Sequence, residues 1–568
     1  MAGRISLAYA IPLLVGVAVC TSAFAPEALA SPSIGVDIGL GGMVVDERFA
    51  PCVVSLSGLT DPVLGTLIVE QQVGNAWKGS ALIRLELAEG WLDNGSWSLA
   101  LPLYDPLNRV SFSLLDASGD VLAIHDVDLR PQRRLDSFPV ACSILPLPAE
   151  EGIVNVHPED LPLDWASYEA VSRLWLAAPP SPDAQRAIAQ WVLAGGALVV
   201  LTGEDFFRLD TPLLRELLPI SDPQLTSDPS GAFRLTGHLR PSASEIASRD
   251  GQQPLAYSWP YGAGHVTVLT ASAASLEPVD FASLLPQLHS AALLSLGAAT
   301  ETLLANTTVS RPSHLIAVLI IVGGVAWLSV ATRWSRRRGR PAIGWVLLGV
   351  LCLSVLSGFM SNRGNRYILT YTLNTTLSVQ TSYSSTLHCL ATLGFEGGAR
   401  SFALSATGLP LADVPDSLHG LRFDITAEAD MLHLTLQPNE LRTLRTYGAS
   451  QWPLSFAAGD SDVTIDNHGS RLGKRVSLVI RRGLLYHIAA IEPGSRQYEL
   501  EGGQDPETYT GPLQEIVRAL DAQFAFHARD WLLAIDEHET LVDHGELLEK
   551  VRYLDIHLIG GDVVHGES

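Results

Sequence analysis

Two apolar runs lying close together constrain this sequence more than any other feature. Residues 314–331 read HLIAVLIIVGGVAWLSVA and residues 341–360 read PAIGWVLLGVLCLSVLSGFM, with only TRWSRRRGR between them. At 1.5 Å rise per residue, a run of about 18 to 20 apolar residues matches the roughly 30 Å hydrocarbon core of a bilayer. The link carries Arg333, Arg336, Arg337, Arg338 and Arg340, and an arginine excess in a short link marks the cytoplasmic side. The expectation is a two-helix transmembrane hairpin, with helices over 314–331 and 341–360 and a cytoplasmic link at 332–340. That places a two-pass protein in the inner (cytoplasmic) membrane, with both large flanking regions extracytoplasmic.

The N-terminal residues point the same way. Arg4 precedes an apolar run from Ile11 to Val19, and Ala28-Leu29-Ala30 forms an A-x-A site before Ser31, so 1–30 reads as a signal peptide. A net charge of -23 and a pI near 5.0 argue against nucleic acid or an anionic lipid surface as partner, since most of the exterior would repel either. Of the five cysteines, Cys20 falls in the signal and Cys352 in the second apolar run. Cys52, Cys142 and Cys389 remain, which is too few for a disulfide framework, and no CxxC knuckle is present. A Cys52–Cys142 bridge and buried free thiols both stay open.

Over 33–130 the apolar residues have period two. Ile83, Leu85 and Leu87 alternate with Arg84 and Glu86, and Val110, Phe112 and Leu114 alternate with serines, which predicts half-buried strands. Turn signals at Asp93-Asn94-Gly95 and Ser118-Gly119-Asp120 separate such runs at the spacing of an immunoglobulin-like β-sandwich. Over 136–290 short apolar runs at 140–145, 172–177 and 197–201 predict buried parallel strands. Between the last two, Ser181 as N-cap, Pro182, a stripe of Ala184, Ile188, Trp191 and Val192, and Gly195-Gly196 predict a helix and hence a β-α-β unit. Alternating residues return over 365–500 and predict a second β-sandwich-like domain. The end, 501–568, reads as mixed, with helix over 512–525 and 545–551. The fold class expected is a multidomain α+β membrane protein.

The stretch LPLDWASYEAVSRLWLAAPPSPDAQRAIAQWVLAGGALVVLTG, followed later by PYGAGHVTVLTAS, resembles the class I glutamine amidotransferase-like domains of bacterial membrane proteins. The shared features are a tyrosine before a strand, a helix ending in WV-x-x-GG, and a YG-x-G-x-V strand entry. The resemblance implies a flavodoxin-like three-layer fold, and it implies a cysteine on the turn after 197–201 with a histidine and glutamate after a later strand. Here that turn is Thr202-Gly203-Glu204, and the later strand is followed by Ala271-Ser272-Ala273. The domain is degenerate at the catalytic positions, since this route to amide hydrolysis needs a thiolate with a positioned imidazole. Further on, 464–494, with an asparagine turn at Asn467-His468-Gly469 and a Pro493-Gly494 turn, resembles late strands of extracytoplasmic sandwiches in the same class of protein.

Open α/β sheets bind ligands at their strand ends, so the ligand-pocket candidates are Thr202, Gly203, Glu204, His157 and Asp160. The run Asp536-Glu537-His538-Glu539, with Asp543, His544 and His557, invites a metal reading. However, His538 and His544 are six apart, which does not fit a zincin helix, and a polar exposed loop is expected instead. No metal, cofactor or catalytic residue is expected. The functional expectation is a non-enzymatic, membrane-anchored binding or scaffold protein of the bacterial envelope, with envelope proteins as partners. The alternatives are an extracytoplasmic hydrolase or ligand sensor using the α/β pocket, or an accessory subunit of a transport or secretion complex.

Overall fold

A computed structural model of the chain describes residues 32–59, 63–72, 80–91, 95–104, 109–143, 152–202, 211–227, 233–240, 242–249, 253–272, 284–293, 326, 327, 329, 330, 332, 333 and 336, and then 368–381, 384–394, 400–405, 411–412, 422–425, 430–436, 441–448, 453–459, 461–511, 513–524, 526, 529–543 and 548–560. Strands make up 56% of these residues, against three helices: α1 (Pro182–Leu193), α2 (Pro212–Leu217) and α3 (Gln514–Phe524). The multidomain α+β membrane expectation is therefore corrected to a β-dominated molecule.

Among the described residues no helix is long and apolar enough to cross a membrane. The transmembrane hairpin, and with it the two-pass inner-membrane placement, is accordingly not supported. Apolarity over the right length is a necessary condition for a span rather than a sufficient one. The runs 314–331 and 341–360 lie outside the described residues apart from 326, 327, 329 and 330. Arg333 and Arg336 are exposed helical positions, whereas Arg337, Arg338 and Arg340, like the 1–30 segment, lie outside the described residues.

The period-two runs near the N-terminus form a sandwich. A three-stranded sheet of Ser33–Ile38, Phe49–Ser57 and Ser96–Pro102 packs on a seven-stranded sheet. The larger sheet has the order Arg400–Ser405, Asp430–Leu436, Arg422–Ile425, Ser80–Trp91, Val63–Gln72, Arg109–Asp116, Val121–Asp128. Alternation sets the faces, because a period of two sends Ile83, Leu85, Val110, Phe112 and Leu114 into one core and the residues between them outward. Arg422–Ile425 joins by parallel pairing with Ser80–Trp91, from Arg422↔Leu82 to Ile425↔Leu85. A sheet begun near the N-terminus is thus completed by residues far along the chain.

The middle of the chain forms a nine-stranded mixed sheet. Val154–Val156, Phe138–Cys142, Val171–Leu176, Ala197–Thr202 and Gly264–Ser272 are parallel in that order. All six residues of Ala197–Thr202 are buried, as its unbroken apolar run requires of a strand covered on both faces. The preceding α1 is built as its residues dictate. The Ser181 hydroxyl accepts from the Ala184 N–H at 3.2 Å, Pro182 opens the first turn, and Gly195 at φ +117° ends it. Gly196 lies directly against the Trp191 indole, where an added Cβ would stand 2.3 Å from Cδ2.

The flavodoxin-like expectation is corrected here. That layout needs crossover helices on both faces of a parallel sheet, and among the described residues α1 is the one α-helix that by itself connects two adjacent parallel strands. Between Ala197–Thr202 and Gly264–Ser272 the described chain instead runs through the six-residue α2 and two antiparallel hairpins, Ile220–Ser227 with Phe233–Leu239 and Ser244–Arg249 with Gln253–Tyr261. The face opposite α1 is closed by Leu284 and Leu288 over Trp175, Val199 and Leu269.

An eight-stranded sheet follows in the order Leu411–Ala412, Leu441–Gly448, Ser384–Gly394, Ile368–Gln380, Leu548–Gly560, Trp531–Asp543, Val476–Arg481, Leu484–His487. Its apolar face shares a core with α1, α3 and the mixed sheet, and the Ser385 hydroxyl donates to the Gln190 carbonyl at 2.6 Å. Part of the other face is covered by a small sheet of Leu454–Ala458, Asp462–Asn467 and Gly494–Glu499. The loop expected over 536–543 and the part of the expected 545–551 helix at 548–551 are corrected to two long paired strands, Trp531–Asp543 and Leu548–Gly560, and 544–547 lie outside the described residues.

Candidate functional site

The N-terminal sandwich, the mixed sheet and the eight-stranded sheet meet at one carboxylate. Asp164 caps the short 3-10 turn Trp165–Tyr168 by accepting from the Ala166 N–H at 2.9 Å, and the turn delivers Glu169 into the interior. Its side chain is 0% exposed. The oxygens accept from the Phe49 backbone N–H at 2.9 Å and the Tyr447 hydroxyl at 3.1 Å, and they pair with Arg48 at 3.2 Å and Arg445 at 2.8 Å. Phe49 and Arg48 belong to the N-terminal sandwich, while Arg445 and Tyr447 lie on Leu441–Gly448 of the eight-stranded sheet. Aromatic packing closes the same point. The Tyr447 ring stands 4.7 Å from Trp165 and 5.3 Å from Phe49, and the Trp165 indole N–H donates to the Gly448 carbonyl at 3.0 Å.

A cleft of about 430 Å³ opens beside this carboxylate, lined in part by Asp46, Glu47, Arg48, Glu169 and Arg445. Glu47 holds the left-handed backbone conformation at φ +55°, and its carbonyl accepts from Arg445 at 3.2 Å. A non-glycine residue there costs of order 1 kcal/mol or more and persists only where its surroundings fix it. Arg133 pairs with Asp46 at the rim. The junction therefore holds one deeply buried anion between two guanidiniums, a geometry suited to locking elements together and to presenting a fixed polar surface. Among the described residues the hydrogen-bond and ion-pair partners of Glu169 are a backbone N–H, a phenol and two guanidiniums.

Of the residues expected to form a ligand pocket, the described ones, Thr202, His157 and Asp160, are not brought together. The Thr202 hydroxyl is buried and donates to the Leu269 carbonyl at 2.7 Å, so it serves the strand end. Gly203 and Glu204 lie outside the described residues. His157 and Asp160 are exposed at either end of a 3-10 turn, with the Asp160 N–H donating to the His157 carbonyl at 3.0 Å. Three strand spacings, about 14 Å, separate the strand ends that carry His157 and Thr202. Cys52 and Cys142 are free buried thiols rather than a bridge, and burial pushes both up, Cys142 to about 12, which removes thiolate chemistry near neutral pH.

A second titratable group lies on the long strand pair. Asp536 and Asp555 are directly opposite, as are His538 and Tyr553, whose rings stack at 4.5 Å. Asp536 accepts from the Gly473 and Lys474 N–H groups at 3.0 and 2.9 Å. Burial raises Asp555 and pushes His557 down to about 4, an effect on His557 that Asp536 partly opposes. Among the described residues no group of three or more His, Cys, Asp or Glu side chains could hold a metal ion.

Glu169 carries no sequence signal of its own, because its partners Arg48 and Tyr447 lie 121 and 278 residues away. The alternation of Arg445 with Tyr447 on a short strand is the one trace sequence reading could have used.

No protein-family profile matches this chain, and no curated protein does. Among solved structures it is similar to the exo-β-1,4-mannosidase Op5Man5 from Opitutaceae bacterium strain TAV5, with 22% identity over 24% of this chain and 25% of that one at a TM-score of 0.17. It is also similar to the Fcho1 Mu homology domain from Danio rerio with bound Eps15 peptide, with 9% identity over 34% of this chain and 96% of that one at a TM-score of 0.20. The chain spans a quarter of the mannosidase's length. Likeness this partial carries no argument about fold or activity.

Proposed function

We propose that this chain is a non-enzymatic binding or scaffold protein whose β-sheets are held as one body by the Glu169 junction. The supporting observation is that Glu169, fully buried, has its oxygens engaged by donors from two other sheets. A buried ion pair held this way is best understood as a device that fixes one arrangement of parts. The resemblance of 161–203 to amidotransferase-like domains enters this reading as ancestry of the strand-helix-strand unit, without its chemistry.

The test is affinity purification of the tagged full chain, compared at matched abundance with Glu169→Gln. Partners recovered in fixed ratio with the parent chain and lost with the variant are the expected result. Turnover of a model ester, amide, glycoside or phosphoester by the purified chain, abolished by Asp555→Asn, would replace this reading with an enzymatic one.

A further inference from the structure

The outer face of the seven-stranded sheet carries a cleft of about 670 Å³, walled by the Asp116–Gly119 turn on one side and by the Arg422–Ile425 strand on the other. The cleft shares no residue with the Glu169 junction. Gly65 lets its walls come close, since an added Cβ would stand 2.0 Å from the Leu115 carbonyl oxygen, and a bulge between Val63 and Gly65 leaves Leu64 55% exposed at the rim. Most of its charges are already matched. Asp116 accepts from the Ser118 hydroxyl at 2.7 Å and from the Ser118 and Asp120 N–H groups, each at 2.9 Å. Asp424, which stands opposite Arg84 in the parallel register, accepts instead from Arg422 at 2.7 and 2.6 Å and lies 3.1 Å from His433.

That leaves Arg84 and Glu86, whose side chains make no hydrogen bond or ion pair among the described residues. Ile83 and Leu85 point into the core, so Arg84 and Glu86 share the outer face. Their Cα atoms are about 7 Å apart along the strand. An extended dipeptide spans about the same distance and a free amino acid about half of it. We infer that this cleft binds a short zwitterionic peptide of dipeptide size, its carboxylate on Arg84, its ammonium on Glu86 and its apolar side chains over Leu64 and Leu115. A cation and an anion left side by side in one groove are satisfied together by a ligand with both charges, whereas a simple anion would meet Glu86 and a simple cation Arg84.

The proposal is tested by isothermal titration of the full chain with L-leucyl-L-leucine, its N-acetyl form, its C-terminal amide, and free leucine. Saturable 1:1 binding of the dipeptide is expected, weakened about tenfold by either cap, in line with the loss of one charge-assisted hydrogen bond. Arg84→Gln should weaken dipeptide binding about tenfold and abolish discrimination between acid and amide, and Glu86→Gln should do the same for amine against N-acetyl. Both positions lie on an outer face, and a thermal melt confirms that the variants are folded. The capped ligands on the parent chain give a result that does not depend on either variant. Absence of saturable heat, or equal binding of dipeptide and capped forms, overturns the proposal.

Discussion

Glu169 has an unequal relation with its partners: removing it would leave Arg48 and Arg445 facing each other without the charge between them. Loss of one partner from a buried pair typically costs about 3 to 5 kcal/mol. Glu169→Gln is expected to lower unfolding free energy by about 3 kcal/mol in urea melts, with Arg48 contributing less because its side chain is 36% exposed. A second residue sets the pH response. Burial pushes His557 from the ordinary 6.5 down to about 4, so between those values the unfolded chain takes up a proton that the folded chain refuses. Its contribution is complete above pH 6.5 and is lost as pH falls toward 4, by up to about 3 kcal/mol. Burial pushes His265, stacked on His289 at 3.6 Å, to about 4 as well and adds a loss in the same window. Chemical denaturation from pH 7.5 to 4 should show that slope, and His557→Leu should reduce it.

Elements differ in how much of themselves the sequence declares. Helix α1 was legible at both ends, because a serine cap, a proline in the first turn and paired glycines act through local geometry that needs no partner. Its packing was half legible: the Trp191 stripe marked a buried face, but nothing indicated that Gly196 would lie under the indole. Gly196→Ala is therefore expected to destabilise the chain by about 1 to 3 kcal/mol, while Trp191→Ala costs about 3 to 5, both read from thermal melts at fixed protein concentration. The pair Trp531–Asp543 and Leu548–Gly560 was misread for a physical reason. Its first half, Trp531 to Ile535, is buried under both neighbouring cores, and its outer half runs past that cover, so Asp536 to Glu539 read as loop. Strand pairing continues where burial stops, and apolar periodicity records only burial.

At the scale of the whole molecule, strands were visible in the sequence, but their partners were not. Period two at 83–87 and at 432–436 announces half-buried strands, yet nothing in either run says that they occupy one sheet. Long apolar runs mislead at this scale too, since hydropathy gives length and apolarity without the surroundings that decide what a run does. The candidate junction was hidden for the same reason, being assembled from Arg48, Glu169 and Tyr447 across three separate regions. This topology has a measurable consequence, because Arg422–Ile425 pairs directly with Ser80–Trp91 and Phe423, 1% exposed, stands opposite Ile83. Sheets completed by distant segments are expected to open as one cooperative unit. Phe423→Ala should cost about 3 to 5 kcal/mol. In native-state hydrogen exchange it should strip protection from the Ser80–Trp91 amides together with those of Arg422–Ile425, while the Gly264–Ser272 amides of the mixed sheet stay slow. If protection across Ser80–Trp91 stays at its parent value while the 422–425 amides exchange freely, the N-terminal sandwich stands without its distant strands and the shared sheet is not the unit that holds the two ends of the chain together.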